Sequence, residues 1–161
     1  MTSMRGGHTR MFAFVIAACA SLSAMAAPPT ADCRFQPPAD LDAAPARWLG
    51  ECRDGAAEGL GIVRAGRAEP YAFFAGRMQD GRPASGLLLL RAGGMQVAMR
   101  FDAALHAVDS DGLRPEQDDR VFAQARDAAL AAAARLRRQG NPASAAYYTA
   151  LAQRIVDSRA E

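Results

Sequence analysis

The sequence predicts an α+β fold, in which an antiparallel β-meander of about 5–7 strands precedes a C-terminal antiparallel α-helical hairpin. Three observations predict it. Glycine-rich hairpin motifs recur, apolar residues alternate with the period of a strand up to residue 109, and the period changes to that of a helix from residue 113. We therefore expect the sheet within residues 47–109 and the two helices within residues 113–159.

Residues 1–26 have the three parts of a secretory signal peptide. A basic start without acids is followed by the apolar run 11–20 and then by small residues. Ala24 and Ala26 stand where signal peptidases read small side chains, so the mature chain is expected to begin near Ala27. The apolar run is too short for a transmembrane helix, which needs about 20 residues.

A second processing route competes with simple cleavage. Ile16-Ala-Ala-Cys19 resembles a lipobox, whose cysteine is lipidated and becomes the first residue of the mature chain. Lipidation at Cys19 would hold the protein on a membrane, whereas cleavage before Ala27 would release it.

The complete absence of lysine, with abundant Arg, Ala and Gly, is typical of a high-GC genome. We therefore favour a bacterial periplasm over secretion or membrane anchoring.

The mature chain is predicted to be electrically neutral. The 161-residue sequence has 19 basic and 17 acidic residues, and two of the arginines, Arg5 and Arg10, leave with the signal. A neutral chain lacks the positive surface that attracts nucleic acid or anionic lipid. We expect no nucleic-acid partner, and membrane contact only through a lipidated Cys19.

Cys33 and Cys52 are the two cysteines that remain after processing. In an exported chain such a pair is expected to form a disulfide. It would tether the Pro-rich segment 27–46, and closing a loop of about 20 residues would stabilise the fold by about 3 kcal/mol. A zinc site and a reactive thiol are the alternatives. Two cysteines without a nearby histidine make a poor zinc set, and a reactive thiol needs an activating base, for which the mature chain has only His106.

Two segments share one pattern at a constant offset of 26 residues. The shared positions are Trp48, Gly50 and Gly55 in the first segment and Phe74, Gly76 and Gly81 in the second. An Asp-Gly pair favours a tight turn, so each segment is expected to form a β-hairpin that stacks on the next. Gly59 and Gly61 would open the return strand, where missing side chains let a neighbouring unit approach closely.

This pattern resembles the MORN repeat, whose units run aromatic-x-Gly-x-x-x-x-Gly-x-x-x-Gly-x-Gly. The first unit matches at Trp48, Gly50, Gly55, Gly59 and Gly61. The second is degenerate, because Ser85 and Leu87 stand where the last two glycines are expected. The opening unit, with a cysteine and a proline ahead of it, is similar to that of exported bacterial MORN-like proteins. The resemblance implies a short twisted antiparallel sheet with a binding or scaffolding role, and it implies no reaction.

Residues 86–101 predict a third hairpin that turns at Ala92-Gly-Gly94. Met95, Val97, Met99 and Phe101 alternate along its second strand and are expected to form one core face. Asp109-Ser-Asp-Gly112 resembles part of a calcium loop, but it lacks the later ligands and is interpreted as a turn.

Helix signals follow this turn. Pro115 and nearby acids begin one helix, Gly140 ends it, and Asn141-Pro142 begins the second. The predicted apolar faces are Phe122, Ala125, Ala129, Ala132, Ala133 and Leu136 on the first helix, and Tyr148, Leu151, Ala152 and Ile155 on the second. These faces are expected to pack on the sheet or on a second subunit.

These features favour a non-enzymatic exported protein, an interaction or structural module of the cell envelope. Its expected partner is a protein or another envelope component, homo-oligomers are an option, and we assign no catalytic, cofactor or metal residue. One alternative is a protein anchored through Cys19. Another is a small hydrolase with His106 as base, although Ser85 and Ser110 lack the Gly-x-Ser-x-Gly context. Asp109 and Asp111 could serve as an acid–base pair, but turns use the same residues.

Overall fold

The computed structural model describes residues 33–160. A five-stranded antiparallel sheet follows the chain in the order β1-β2-β3-β4-β5, and a helical hairpin comes after it. The predicted α+β fold, a β-meander followed by two helices, is therefore confirmed. The proposed signal peptide, Cys19 and the start of segment 27–46 lie outside the described residues.

The elements have the following bounds. The sheet contains β1 (Ala46–Arg53), β2 (Ala56–Ala65), β3 (Ala72–Gln79), β4 (Arg82–Leu89) and β5 (Met95–Ala98). A separate two-stranded ribbon pairs β6 (Arg100–Phe101) with β7 (Ala107–Val108), and the helices are α1 (Pro115–Arg138) and α2 (Pro142–Ala160). Neither helix is long and apolar enough to cross a membrane, as far as residues 33–160 are concerned.

Both Asp-Gly pairs form the tight turns that the sequence predicts. The φ angles are 50° and 75° at Asp54 and Gly55, and 49° and 78° at Asp80 and Gly81. Positive φ at both central positions is the geometry of two-residue hairpin turns, because its twist matches that of the flanking strands.

The two hairpins differ by one residue at a β-bulge, and this difference accounts for the degenerate second motif. Gly50 pairs with Gly61 in the first hairpin, and Gly76 pairs with Gly86 in the second. The returning strand has two extra residues in the first bulge and only one in the second. Gly86, at an offset of 25 residues, is thus the structural counterpart of Gly61.

The expected role of Gly59 and Gly61 is wrong. A Cβ atom on Gly61 would lie 2.6 Å from the ring of Trp48, so Gly61 makes room for an aromatic ring of its own hairpin. Gly59 has φ +78° and open space around it, so it supplies the backbone conformation of the bulge. Neither glycine admits a neighbouring unit.

The helical hairpin packs on its own sheet. Ile62, Phe73, Ala75 and Leu87 face the helices and form one core with them. The helices contribute Val121, Ala125, Ala129, Ala132, Ala133, Leu136, Ala145, Tyr148, Leu151, Ala152 and Ile155 to this core, and Phe122 is half-buried at its margin. The predicted apolar faces of both helices are confirmed.

The opposite face of the sheet has a different cover. Trp48, Val63, Phe74, Met78 and Leu88 form a second core there. Segment 33–45 and the β6–β7 ribbon lie over it, with Phe35, Leu41 and Phe101 as their main apolar contributions. The sheet is therefore buried on both faces.

The predicted single core face of the third hairpin's second strand is wrong at both ends, because Met95 is 39 % exposed and Phe101 packs on the opposite face of the sheet. The strand stops at Ala98, and the Met99 N–H donates to the carbonyl of Val108 at 3.0 Å. Phe101 thereby crosses to the opposite face, where its ring meets Phe74 edge-on with centroids 5.5 Å apart. Val97 and Met99 stay on the helix side.

Cys33 and Cys52 form a disulfide, with Cα atoms 5.7 Å apart. The segment after Cys33 is held against both hairpin turns, because the N–H groups of Arg34 and Gln36 donate to the carbonyls of Gly55 and Gly81, each at 2.8 Å. Neither sulfur is thus available as a zinc ligand or nucleophile.

The helix ends match the sequence signals. Pro115 lies in the first turn of α1 together with Glu116 and Asp118, and Gly140 follows the last turn with φ 74°. The Asn141 side chain accepts the Ser144 N–H at 3.1 Å and so caps α2.

Candidate functional site: a tyrosine cleft beside the second helix

A cleft opens where the start of α2 lies over the loop between β2 and β3. It has two adjoining recesses of about 260 and 520 Å³, which share Glu69, Tyr71 and Tyr147. The smaller recess is also lined by Arg64, Ala143, Ser144 and Tyr148, and the larger by Pro70, Phe73 and Arg154. We call the whole feature the tyrosine cleft, and its smaller part the Arg64 recess.

Helical geometry explains why one tyrosine is buried and its neighbour lines the opening. Successive residues on a helix point about 100° apart, so Tyr147 and Tyr148 cannot share a face. Tyr148 is 3 % exposed in the core, whereas Tyr147 is half-buried at its margin.

Aromatic rings form a continuous wall along the cleft. Phe73 lies with its centroid 6.0 Å from Tyr71, 6.2 Å from Tyr147 and 6.4 Å from Tyr148. Such edge-on and tilted arrangements are the favoured ones for aromatic pairs. The contacts between these rings therefore hold their side chains in place along the cleft.

Each recess has an arginine placed over a tyrosine ring. The guanidinium carbon of Arg64 is 4.7 Å from the ring centroid of Tyr71, and that of Arg154 is 5.8 Å from Tyr147. The Nε–H of Arg64 is buried and has no hydrogen-bond partner. Among residues 33–160, Arg64 has no carboxylate within ion-pair distance.

The two α2 tyrosines stay protonated at physiological pH. Burial raises the pKa of Tyr148 to about 12, although the nearby charge of Arg64 opposes the shift. Burial also raises the pKa of Tyr147, the charge of Glu69 adds to this, and the charge of Arg154 opposes it. Both phenols are therefore hydrogen-bonding groups rather than anions.

His106, the hydrolase candidate, is part of a structural clamp on the other side of the sheet. Its Nδ1 lies 3.0 Å from Asp40 Oδ1, and Asp40 Oδ2 accepts the Ala107 N–H at 2.6 Å. Asp40 thus ties segment 33–45 to the β6–β7 ribbon. The hydrogen bond to Asp40 raises the pKa of His106. Burial alone would raise the pKa of Asp40, but its bonds to His106 and Ala107 outweigh burial and lower it.

The other polar candidates also have local partners and do not come together with His106. Asp109 accepts the Ser110 N–H at 2.7 Å, and Asp111 accepts the Leu113 N–H at 3.0 Å, which are turn contacts. Ser85 is bonded to Gln124 of α1. Within residues 33–160 there is no group of three or more His, Cys, Asp or Glu side chains that could hold a metal ion.

The tyrosine cleft is what the sequence reasoning missed. Adjacent helical residues such as Tyr147 and Tyr148 point to different faces, but Arg64, Glu69 and Tyr71 carry no motif that would join them to this pair. These three residues meet α2 only because the helical hairpin folds back over the sheet.

Comparison with known proteins adds no identification. No family model, no curated protein and no solved structure matches this chain.

Proposed function

We propose that this protein is an exported, non-enzymatic interaction module of the cell envelope, and that it binds a protein partner in the tyrosine cleft. The observation that carries the proposal is the cleft itself, with a rigid aromatic wall, protonated tyrosines and two arginines. Tyrosine and arginine are the residues that dominate binding energy at protein interfaces, because they combine apolar area with hydrogen bonds.

Export through residues 1–26 is supported by the Cys33–Cys52 disulfide, since such bonds persist in oxidising compartments. We propose cleavage before Ala27 and release into the periplasm. Intact mass measurement of the protein purified from the cells that make it tests this point. A mature chain that starts at Ala27 with no free thiol is expected, and a diacylated or triacylated N-terminal Cys19 would support the lipid-anchored alternative instead.

We further propose that the first two hairpins are MORN-like units. The support is their shared architecture, with Asp-Gly turns and the paired glycines Gly50–Gly61 and Gly76–Gly86 beside Trp48 and Phe74. This assignment adds a scaffolding character to the binding role, and it does not name the partner.

Site-specific photo-crosslinking tests the binding role. A photoreactive amino acid at Ala143, on the rim of the cleft, is compared with the same residue at Ala103, an exposed position in the β6–β7 turn. We expect one defined adduct from position 143 that disappears in a Tyr147→Ala background, and none from position 103. Equal adducts from both positions, or an adduct that is indifferent to Tyr147→Ala, would refute the cleft as the binding site.

A further inference from the structure

The Arg64 recess has an unused hydrogen-bonding capacity. A guanidinium carries five N–H donors in one plane. The guanidinium of Arg64 interacts with the Tyr148 phenol through a side-chain hydrogen bond, but its Nε–H is buried and has no partner among residues 33–160. A buried donor without an acceptor is costly, so an acceptor supplied from outside would be bound with that cost removed.

The shape and charge of the recess select the kind of acceptor. The ring of Tyr71 covers one face of the Arg64 guanidinium at 4.7 Å, so an acceptor would have to approach in the plane of that group. A planar carboxylate matches two such donors side by side, whereas a single carbonyl or hydroxyl oxygen matches one. No carboxylate of residues 33–160 lies within ion-pair distance of Arg64, although Glu69 lines the same recess and offsets one of the two arginine charges of the cleft.

The surroundings favour a carboxylate that belongs to a peptide. The Arg64 recess, of about 260 Å³, adjoins the larger recess of about 520 Å³ through Glu69, Tyr71 and Tyr147. A small free acid would fill only the first part. A peptide could place its carboxylate at Arg64 and lay the next apolar or aromatic residue against Phe73 and Tyr147.

We propose that the Arg64 recess binds a carboxylate of a peptide segment, with the neighbouring residue of that segment in the larger recess. This inference rests on the proposed binding role of the cleft and specifies its ligand chemistry. The carboxylate is either the C-terminus of the partner or an Asp or Glu side chain, since both present the same planar group.

Three synthetic heptapeptide pools distinguish these sources. The first has free C-terminal carboxylates and no Asp or Glu, the second is identical but C-terminally amidated, and the third is amidated and contains Asp and Glu. Binding of the mature protein to each immobilised pool is measured at pH 7. We expect the first or the third pool to bind about tenfold or more tightly than the second, as two charge-assisted hydrogen bonds require.

Matched arginine variants assign that preference to the recess. Arg64→Gln should abolish it and Arg64→Lys should weaken it, because lysine keeps the charge but loses the planar pair of donors. Arg67→Gln changes an exposed arginine in the loop that follows β2, which does not line the recess, and should leave the preference unchanged. A preference that survives Arg64→Gln, or equal binding to all three pools, would overturn the proposal.

A measurement on the unmutated protein tests the proposal even if the Arg64 variants fail to fold. The Arg64 Nε–H resonance is followed by NMR during titration with the carboxylate pool, the amide pool and sodium acetate. A downfield shift with the carboxylate pool alone supports the proposal. A shift that acetate reproduces at equal concentration would show a small-acid site and overturn the peptide part.

The two proposals fail separately. Photo-crosslinking from position 143 together with indifference to carboxylates would retain the binding cleft and reject the Arg64 ligand. Carboxylate binding that depends on Arg64, without a crosslinked partner, would retain the ligand chemistry of the recess and reject the protein partner.

Discussion

The two faces of the sheet are covered in different ways. On one face, α1 and α2 contribute a broad, alanine-rich apolar surface to a single core. On the other face the cover is the irregular segment 33–45 and a short ribbon, held by a disulfide and by the Asp40–His106 contact. The helical hairpin is held mainly by its large apolar contact, to which ion pairs of Arg135 and Arg138 with Glu51 are added at the edge. The short irregular segment buries less apolar area and depends more on its covalent and charged contacts.

This difference separates structural residues from functional ones. The helix face has an open end where the tyrosine cleft lies, and there the buried Nε–H of Arg64 has no acceptor. On the opposite face, Asp40 is bonded to His106 and to the Ala107 N–H. We therefore expect mutations on the opposite face to change stability, and mutations in the cleft to change binding.

The largest expected effect is at Phe74, which is fully buried on the opposite face. Phe74→Ala removes the ring that fits beside Gly86 and Phe101, and should lower the free energy of unfolding by about 3–5 kcal/mol in urea titrations. Phe101→Ala, a half-buried partner, is the matched control and should cost less. A Phe74→Ala loss smaller than that of Phe101→Ala would contradict this packing.

The second largest expected change in stability comes from removal of the disulfide. A Cys33→Ser, Cys52→Ser double variant should lose about 3 kcal/mol of stability, because the unfolded chain regains the freedom of the open loop. Hydrogen exchange should increase most in residues 33–45 and in the β6–β7 ribbon. An equal increase in hydrogen exchange throughout α1 and α2 would show that the helical hairpin and segment 33–45 do not unfold independently.

The sequence predicted the turns and the helix starts, but it did not predict the contacts that the covering segments make with the sheet. Turns at Asp54-Gly55 and Asp80-Gly81 and the start of α1 at Pro115 depend on local chemistry, so they could be predicted from neighbouring residues. The crossing of Phe101 to the other face depends on a pairing with β7, and the tyrosine cleft depends on how α2 lies over β3. Such contacts join distant parts of the chain and leave no local pattern.

A third, smaller effect concerns the Asp40–His106 clamp. Asp40→Ala removes the acceptor of the Ala107 N–H and should cost about 1 kcal/mol, measured by thermal or urea unfolding. His106→Ala, which keeps that acceptor, should cost less. A larger loss in His106→Ala than in Asp40→Ala would show that the backbone contact is not the main tie.

The clamp should also depend on pH. The pKa of Asp40 is lowered from 3.8, so its contribution is present above that pH and is lost as the pH falls through its folded value. The pKa of His106 is raised from 6.5, so its contribution is complete below that pH and is lost as the pH rises through its folded value. The stability difference between wild type and Asp40→Ala should therefore be largest between about pH 4 and 6.5. A difference independent of pH would refute the charged contact.

The smallest expected change in stability is at Tyr147. Tyr147→Phe keeps the ring against Phe73 and should change the free energy of unfolding by less than about 0.5 kcal/mol. The same variant tests whether the phenol contributes hydrogen bonds to a ligand. A large loss of stability would place Tyr147 in the core rather than in the cleft.

One matched experiment tests the division between the faces most directly. The yield of the adduct from the photoreactive residue at position 143 is compared between Tyr147→Ala and His106→Ala, with folding of both variants verified by circular dichroism. The account predicts that Tyr147→Ala abolishes the adduct and that His106→Ala leaves it unchanged. A folded His106→Ala variant that loses the adduct, beside a Tyr147→Ala variant that keeps it, would contradict the account and return attention to His106 as a functional residue.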